Sequence, residues 1–247
     1  DEIDNNTNHC SAGSSPSDND GDSISDLNDP DDDNDGTSDL QDVYAIDANN
    51  GINTNLPVNY PFWNNDPGTG FFGLGFTGLM LDPSGSTDYI TQYDETNLSF
   101  GGAGGKATVD AMSPGNALQA QNSQDNAFQF GVNVDTNSPP FTVHSKIETP
   151  FNGSQPMASQ NYGMYIGNGD QDNYLKIVIM DGLVSGDATD GIEVLLEKNG
   201  VATSTKYDVT GLLQAGGVDI YLNVNPQNNT AQPFYSLNDG EDINILG

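Results

Sequence analysis

The sequence predicts an all-β protein in two parts, an irregular aspartate-rich segment followed by an antiparallel β-sandwich. From residue 60 onwards, short alternating or aromatic-rich runs recur, and clusters of Gly, Asn, Asp and Pro separate them. Many short strands with regular turn signals are typical of sandwiches. The first fifty residues, by contrast, are nearly free of apolar side chains. Such a segment cannot build a hydrophobic core and needs another source of order.

Several runs in the second part have the composition and alternation of β-strands. They are Gly73–Leu81, Ala107–Ala111, Ala127–Val134, Phe141–Glu148, Tyr162–Ile166, Tyr174–Met180, Ile192–Glu197, Thr203–Val209, Val218–Val224 and Pro233–Leu237. The dipeptides Asn199-Gly200 and Asp181-Gly182 are typical of hairpin turns. No stretch shows helical periodicity over three turns, and Ala117–Asp125 is the best candidate for a short helix.

The chain is strongly acidic. It has 36 Asp and Glu residues against 5 Lys and Arg residues, for a formal net charge of −31. Nucleic acids and anionic membrane surfaces are bound through clusters of basic residues, so neither is expected as a partner. No apolar run approaches the roughly 20 residues of a membrane span, so membrane insertion is not expected either. Outside the motifs described next, the acidity also suits solubility at high ionic strength.

Two near copies of an aspartate motif follow one another at residues 18–29 and 31–42, with a constant offset of 13 residues. Each copy places aspartates at positions 1, 3, 5, 9 and 12 of a twelve-residue loop. This is the oxygen spacing of an EF-hand-type calcium loop, in which position 7 contributes a backbone carbonyl. The predicted calcium ligands are Asp18, Asp20, Asp22, Ile24, Asp26 and Asp29 in the first loop and Asp31, Asp33, Asp35, Thr37, Asp39 and Asp42 in the second.

The chemistry of calcium explains this spacing. Calcium takes six to eight oxygen ligands, and alternate residues of a tightly turning loop can direct their carboxylates to one centre. Gly36 at position 6 permits the sharp turn, whereas Ser23 stands there in the first loop and is expected to weaken that site. A disordered acidic linker is the alternative interpretation. It gives no reason for the constant register or for the matching Leu27 and Leu40.

Neither copy is flanked by the amphipathic helices of an EF-hand. Tandem DxDxDGxxDxxD units of this kind resemble the thrombospondin type 3 repeat, and the resemblance covers roughly Asp1 to Asp42. It implies a calcium-wrapped repeat domain at residues 1–47, with residues 48–60 as a linker. Asp1 and Asp4 have the spacing of positions 9 and 12, as in the tail of a preceding repeat. We therefore expect flanking domains of a longer chain.

The cysteine content bears on the origin of the chain. Cys10 is its single cysteine, whereas the animal family of these repeats carries regular disulfides. Bacterial versions commonly lack those cysteines, so the resemblance favours a bacterial protein. Cys10 is either a free thiol or one half of a disulfide with a residue outside this sequence.

A second pattern lies in the downstream part. A strand pattern beginning at Phe141 is followed by Gly-Met-Tyr-Ile-Gly at 163–167, an Asp-Gln-Asp-Asn turn at 170–173 and an apolar strand. This succession resembles the concanavalin A-like lectin/glucanase superfamily. The resemblance implies a jelly-roll sandwich over residues 61–247 that acts as a carbohydrate-binding module. It also implies a secreted or cell-surface location, beside adhesion or polysaccharide-processing domains.

The residues do not favour an enzyme. Glycosidases of the jelly-roll kind place paired acids on one strand as E-x-D-x-E or a close variant. Glu193 and Glu197 share a strand face without an acid between them at 195. The only histidines are His9 and His144, too few for a zinc site or a convincing nucleophilic triad. A degenerate glycosidase stays the least favoured alternative.

Carbohydrate binding needs aromatic rings that stack on sugars, together with polar groups for the hydroxyls. The candidate ligand-binding residues are Trp63, Tyr165, Asp170, Asp172 and Tyr174. An aromatic residue at strand spacing serves as readily in a core as in a binding platform. Trp63 is either a binding residue or an anchor between the linker and the sandwich.

The loop at residues 168–173 has two interpretations of its own. Asn168, Asp170 and Asp172 alternate as ligands of a further calcium would, or they form a plain polar turn. For the whole chain, the sequence favours a non-catalytic, calcium-binding carbohydrate-binding module of a secreted polysaccharide-processing or adhesive bacterial protein. The rival hypothesis is a calcium-rigidified spacer or adhesin segment that binds no small ligand.

Overall fold

The computed structural model describes residues 18–58, 76–81, 88–92, 97–101, 106–154, 156–157, 159–180 and 191–247. Across these residues the regular structure is nearly all β, with antiparallel pairing between strands and no α-helix. In this same part of the chain, no helix is long and apolar enough to cross a membrane. The predicted all-β class is confirmed.

The chain divides into two compact units. Unit 1 comprises residues 1–133 and 169–171, and unit 2 comprises residues 134–168 and 172–247. The sequence predicts domain boundaries at residues 47 and 60. The division into compact units falls instead after residue 133 of the chain. The repeats therefore share a unit with the residues that follow them, and a small core explains this grouping. Ala45, just after the second repeat, is buried with Leu79 and Tyr89.

The described residues of unit 1 contain little regular structure. Residues 18–58 form turns and bends, with one 3-10 turn at Asp39–Gln41. Two short antiparallel pairs follow, β1 with β4 and β2 with β3. Their bounds are Gly78–Leu79 for β1, Leu98–Gly101 for β2, Lys106–Val109 for β3 and Phe128–Gln129 for β4.

Unit 2 is a sandwich of two four-stranded antiparallel sheets among its described residues. Its strands are β5 Phe141–Glu148, β6 Asn161–Gly167, β7 Tyr174–Met180, β8 Gly191–Lys198, β9 Val201–Asp208, β10 Gly217–Asn225, β11 Thr230–Ser236 and β12 Asn244–Ile245. One sheet is the meander β6-β7-β8-β9, and the other has the order β12-β11-β10-β5. The jelly-roll connectivity implied by the resemblance stays a prediction.

The core of unit 2 lies between these two sheets. Ile177 and Ile179 of β7 and Ile192 of β8 meet Val218 and Ile220 of β10 in one buried cluster. Alternate residues of a strand point to opposite faces, so every second residue of β10 is apolar and faces this core. The residues between them lie on the opposite face of the sheet, where Asp219 is buried, Tyr221 is half-buried and Asn223 is exposed.

The β8–β9 hairpin shows local sequence controlling structure. Asn199 and Gly200 both have positive φ, at 51° and 70°, and Lys198 pairs with Val201 across the turn. Two consecutive left-handed residues define the turn type whose twist suits a two-residue hairpin. The prediction for this dipeptide is confirmed.

The strand predictions are mostly confirmed, and Phe141–Glu148 and Tyr174–Met180 match to the residue. Strands β2 and β12 were not predicted. The short helix at Ala117–Asp125 is wrong, because this segment is irregular. The side chain of Asn116 accepts a hydrogen bond from the Leu118 N–H at 2.8 Å, and side-chain bonds of this kind compete with a helix.

Some predicted features lie outside the described residues. They are the Asp181-Gly182 turn, Trp63, residues 73–75 of the first predicted strand, and the first seventeen residues with Asp1, Asp4, His9 and Cys10.

Candidate metal centre in the aspartate repeats

The two twelve-residue loops share a set of side-chain-to-backbone hydrogen bonds. At positions 3 and 5 of each loop, a carboxylate Oδ1 accepts from the backbone N–H two residues later. These bonds join Asp20 to Asp22 (2.9 Å), Asp22 to Ile24 (2.7 Å), Asp33 to Asp35 (3.0 Å) and Asp35 to Thr37 (2.7 Å). Each of these bonds of the first loop thus recurs in the second at the 13-residue offset.

In each loop a hydrogen bond joins the carboxylate at position 1 to the backbone N–H at position 6. The Ser23 N–H donates to Asp18 Oδ2 at 3.1 Å, and the Gly36 N–H donates to Asp31 Oδ2 at 3.0 Å. Both donor residues have positive φ, 81° for Ser23 and 96° for Gly36. Position 6 therefore requires a left-handed backbone in both loops, which glycine adopts without strain and serine does not.

The aspartate side chains at positions 9 and 12 of each loop also accept hydrogen bonds from backbone N–H groups. Asp26 Oδ1 accepts from the Asn19 N–H, and Asp39 Oδ1 accepts from the Asp32 N–H, both at 2.8 Å. Each position-12 carboxylate accepts a hydrogen bond from the backbone N–H two residues later. Asp29 Oδ1 accepts from the Asp31 N–H at 3.0 Å, and Asp42 Oδ1 accepts from the Tyr44 N–H at 2.8 Å.

This folding gathers two groups of three carboxylates among the described residues. Asp18, Asp20 and Asp22 form one triad, and Asp31, Asp33 and Asp35 form the other. Within each triad, one oxygen from each residue lies within 4.8 Å of the others. Either group could hold a metal ion. The triads are positions 1, 3 and 5 of the two predicted loops. The carbonyl role of Ile24 and Thr37 at position 7 stays a prediction.

The two loops differ in burial. None of the first loop's aspartates is buried, whereas the second loop buries four, Asp32, Asp33, Asp39 and Asp42. Among the described residues, five buried carboxylate oxygens in the second loop have no hydrogen-bond partner. They are Oδ1 of Asp31, both oxygens of Asp32, Oδ2 of Asp33 and Oδ2 of Asp42.

Burial also changes the acidity of the second loop. Loss of hydration raises the pKa of Asp33 to about 6 and that of Asp39 to about 6. It raises the pKa of Asp32 to about 9, with the neighbouring carboxylate of Asp39 adding to the effect. The pKa of exposed Asp35 is instead lowered, first by its side-chain hydrogen bond with Thr37. A proton or a cation must therefore offset the buried charge of this loop.

The donor set of the second loop fits a hard cation. All its side-chain ligands are carboxylate oxygens, which suit calcium or magnesium rather than zinc or copper. A buried carboxylate without a partner is strongly unfavourable, and a bound cation removes that penalty. The sequence predicted the alternating carboxylates of this loop and did not single out Asp32, which stands at position 2 and is buried.

The predicted ligand-binding residues of the downstream part do not form a metal triad. Asp170 lies in a short bridge with Leu81 in unit 1. The backbone carbonyl of Asp172, in unit 2, accepts from the Gly200 N–H at 3.1 Å. Asp170 and Asp172 belong to neither of the triads in the described part of the chain.

The two predicted tyrosines occupy different environments. Tyr165 is half-buried in β6. Tyr174 is 4% exposed, its hydroxyl lies 3.3 Å from Glu197 Oε2, and burial raises its pKa. The Tyr174 ring therefore contributes packing and has no open face for a sugar.

A surface that the sequence did not indicate lies on the outer face of the β5–β10–β11 sheet. The rings of His144 and Tyr221 stack there, with centroids 4.4 Å apart and planes 10° apart. His144 Nε2 lies 2.7 Å from Asp219 Oδ1, and Phe234 stands opposite Tyr221 in the register. We call His144, Tyr221 and Phe234 the aromatic face. Only strand pairing brings these residues together, so no local sequence signal could reveal them.

Comparison with known proteins gives no further assignment: no protein-family model, no curated protein and no solved structure matches this chain.

Proposed function

We propose that this chain is a non-catalytic calcium-binding module, in which the aspartate loops take up calcium. The proposal rests on one observation, the five buried carboxylate oxygens without hydrogen-bond partners among the described residues of the second loop. Calcium suits this loop better than magnesium. Magnesium demands a near-ideal octahedron and usually keeps several waters, whereas calcium accepts many protein oxygens in flexible geometry.

The residues that would hold calcium are the aspartates at positions 1, 3, 5, 9 and 12 of each loop, with the carbonyls of Ile24 and Thr37. The ion supplies positive charge in a segment that has little apolar core, and it takes part in no reaction. The loops themselves position the ligands through their side-chain-to-backbone hydrogen bonds. The thrombospondin type 3 resemblance belongs to this proposal.

Calcium titration of the full chain by isothermal calorimetry tests this function, with magnesium as the competing ion. The variant carrying Asp33→Asn and Asp35→Asn should lose at least one bound calcium. Asp110→Asn removes one exposed carboxylate from the same unit and should leave the stoichiometry unchanged. A wild-type chain that binds no calcium in the millimolar range would overturn the proposal, since extracellular modules bind at about 10⁻⁴–10⁻³ M.

The acid pair of β8 supports the non-catalytic part of the proposal. Glu193 and Glu197 are both buried, and they lie four residues apart on one strand. Leu195 stands between them, where the glycosidase pattern of paired acids on one strand has a third acid. Glu193 is also bound to Lys176 Nζ at 3.1 Å and to the Ser204 hydroxyl at 2.7 Å.

Carbohydrate binding is the second candidate function, and the aromatic face favours it. Sugar recognition needs aromatic ring faces beside polar groups, and this face has both kinds of group. The His144 side chain is 45% exposed, and the Asn223 amide donates to the Thr142 hydroxyl at 3.1 Å on the same face. The concanavalin A-like resemblance, the jelly-roll connectivity and a secreted or cell-surface location belong to this candidate.

A glycan array in millimolar calcium, repeated in chelator, tests the second candidate. Binding that survives chelation and is lost in the variant with His144→Ala and Tyr221→Ala supports a sugar site on the aromatic face. Tyr162→Ala, an exposed tyrosine on the other sheet, is the matched control. Absence of binding in both conditions favours the rival function, a calcium-rigidified spacer or adhesin segment.

A further inference from the structure

Gln129, in β4, joins the segment after the second loop to strand β1. The residue is buried, and its amide Nε2 donates to the backbone carbonyls of Val43 and Leu79, both at 2.9 Å. A glutamine amide has two N–H donors, so both are used on backbone oxygens. One buried side chain thus bonds two pieces of backbone that are far apart in the sequence.

The Val43 carbonyl lies next to the end of the second loop. Val43 directly follows Asp42, the position-12 aspartate. Asp42 Oδ1 accepts from the Tyr44 N–H at 2.8 Å, so the predicted ligand and the Val43 carbonyl belong to one tight turn. Asp42 is buried, and its Oδ2 has no hydrogen-bond partner among the described residues. A group that holds Val43 in place therefore also holds the last carboxylate of the loop.

The backbone of β1 lies directly against the same turn. A Cβ built on Gly78 would lie 2.0 Å from the Val43 carbonyl oxygen, so only glycine fits at this position. The Ile46 N–H donates to the Thr77 carbonyl at 3.2 Å, and the Thr77 N–H donates to the Gln129 carbonyl at 2.9 Å. The turn after the second loop, β1 and β4 are therefore joined by hydrogen bonds, to which Gln129 contributes with both its backbone and its side chain.

We propose that Gln129 couples calcium binding in the second loop to the packing of the β1–β4 pair. It is a positioning residue, which lies far outside the repeats and acts on Asp42 through Val43. Binding of the ion by Asp42 fixes the turn, and the two Gln129 hydrogen bonds extend that order to β1 and β4. Because coupling between two sites is reciprocal, loss of these hydrogen bonds also weakens calcium binding. This inference rests on the proposed calcium binding.

A second buried glutamine of unit 1, Gln171, provides a matched control. Its amide donates to the backbone carbonyls of Met80 at 3.3 Å and Gln124 at 2.9 Å, and the residue is 0% exposed. Both glutamines thus join two segments of unit 1 through backbone carbonyls. Met80 and Gln124 lie outside the repeats and outside the turn that follows them. Gln171 therefore tests what a buried glutamine contributes to stability alone.

Calorimetric calcium titration of the full chain tests the coupling in two variants, Gln129→Met and Gln171→Met. Methionine is unbranched like glutamine and lacks its amide donors. Gln129→Met should weaken calcium binding at one site by at least about fivefold and should reduce the calcium-induced rise in the Tm of unit 1. Gln171→Met should lower the Tm with and without calcium, and it should leave the calcium affinity and the calcium-induced rise unchanged.

Hydrogen exchange of the wild-type chain tests the coupling without a substitution, and it decides if Gln129→Met fails to fold. Calcium should slow the exchange of the Thr77 and Met80 amides, which donate to the carbonyls of Gln129 and Ala127. A wild-type chain that binds no calcium overturns both this inference and the proposed function. Calcium binding with unchanged exchange of both amides overturns the coupling alone, and so does an equal loss of calcium affinity in the two variants.

Discussion

The two aspartate loops are near copies in sequence and in hydrogen bonding, yet they lie in different environments. The first loop leaves its aspartates exposed or half-buried, and the second buries Asp32, Asp33, Asp39 and Asp42. The chain after the second loop continues into a small core, in which Ala45 is buried with Leu79 and Tyr89. A ligand pattern can thus be encoded locally, while its coupling to folding depends on what packs against it. We expect the second loop to link calcium binding to the stability of unit 1.

The largest effect should come from removing ligands of the second loop. Asp31→Asn with Asp33→Asn should lower the calcium-dependent free energy of unfolding of unit 1 by about 3 kcal/mol, at calcium a hundredfold above its dissociation constant. Asp18→Asn with Asp20→Asn should have a smaller effect, because the first triad is not buried. Thermal unfolding with and without calcium measures both. Equal losses of this free energy in the two variants would contradict the difference between the loops. The unfolding of the unit 2 sandwich should be the same in both variants and in the wild type.

The next effect concerns the pH dependence of the calcium-free protein. The pKa values of Asp33 and Asp39 are raised to about 6, while an unfolded Asp titrates near 3.9. Between about pH 4 and 6 the folded state holds protons that the unfolded state has released, so stability falls as pH rises through this window.

The raised pKa of Asp32, about 9, extends this loss of stability above neutral pH. Metal-stripped protein should therefore unfold at a higher temperature at pH 4.5 than at pH 7.5. Calcium should reverse that order, because it binds the deprotonated carboxylates. A pH-independent unfolding temperature in metal-stripped protein would show that these buried carboxyls are not coupled to folding.

A smaller effect should follow from exchanging the position-6 residues. Ser23→Gly relieves a left-handed serine and should strengthen the first loop by about 1–2 kcal/mol, and Gly36→Ser should weaken the second by a similar amount. Nothing lies within 4 Å of a Cβ built on Gly36, so the backbone conformation alone sets the size of this effect. Calcium affinity by calorimetry is the measurement. Opposite signs in the two loops are expected, and the same sign in both would contradict the shared geometry.

The smallest effect should come from an aspartate outside the loops. Asp239 forms an ion pair with Lys146 at 2.6 Å on the surface of unit 2, and both side chains are exposed. Asp239→Asn should leave the free energy of unfolding nearly unchanged, since exposed ion pairs contribute little. Its effect should be the same with and without calcium. A calcium-dependent change would mean that the acidic character of the chain, rather than the loops, controls its response to the ion.

Much of the fold could be predicted because it depends on neighbouring residues. The Asn199-Gly200 hairpin and the strands Phe141–Glu148 and Tyr174–Met180 follow from turn chemistry and from runs of apolar residues. The helix predicted at Ala117–Asp125 is wrong, because Asn116 offers the backbone a competing hydrogen bond that periodicity does not reveal. The sequence offers Tyr174 as a ring on which a sugar could stack. Its burial in the folded chain shows that the ring packs against other side chains instead.

The sequence by itself determined the spacing of the two triads, the left-handed turn at position 6 and the all-β class. Each depends on residues within about a dozen positions, where spacing and turn chemistry act directly. Only the tertiary structure decided that Asp32 is buried without a partner among the described residues and that His144 stacks on Tyr221. These contacts join residues far apart in the chain. Burial and charge repulsion depend on three-dimensional neighbours, which no local pattern records.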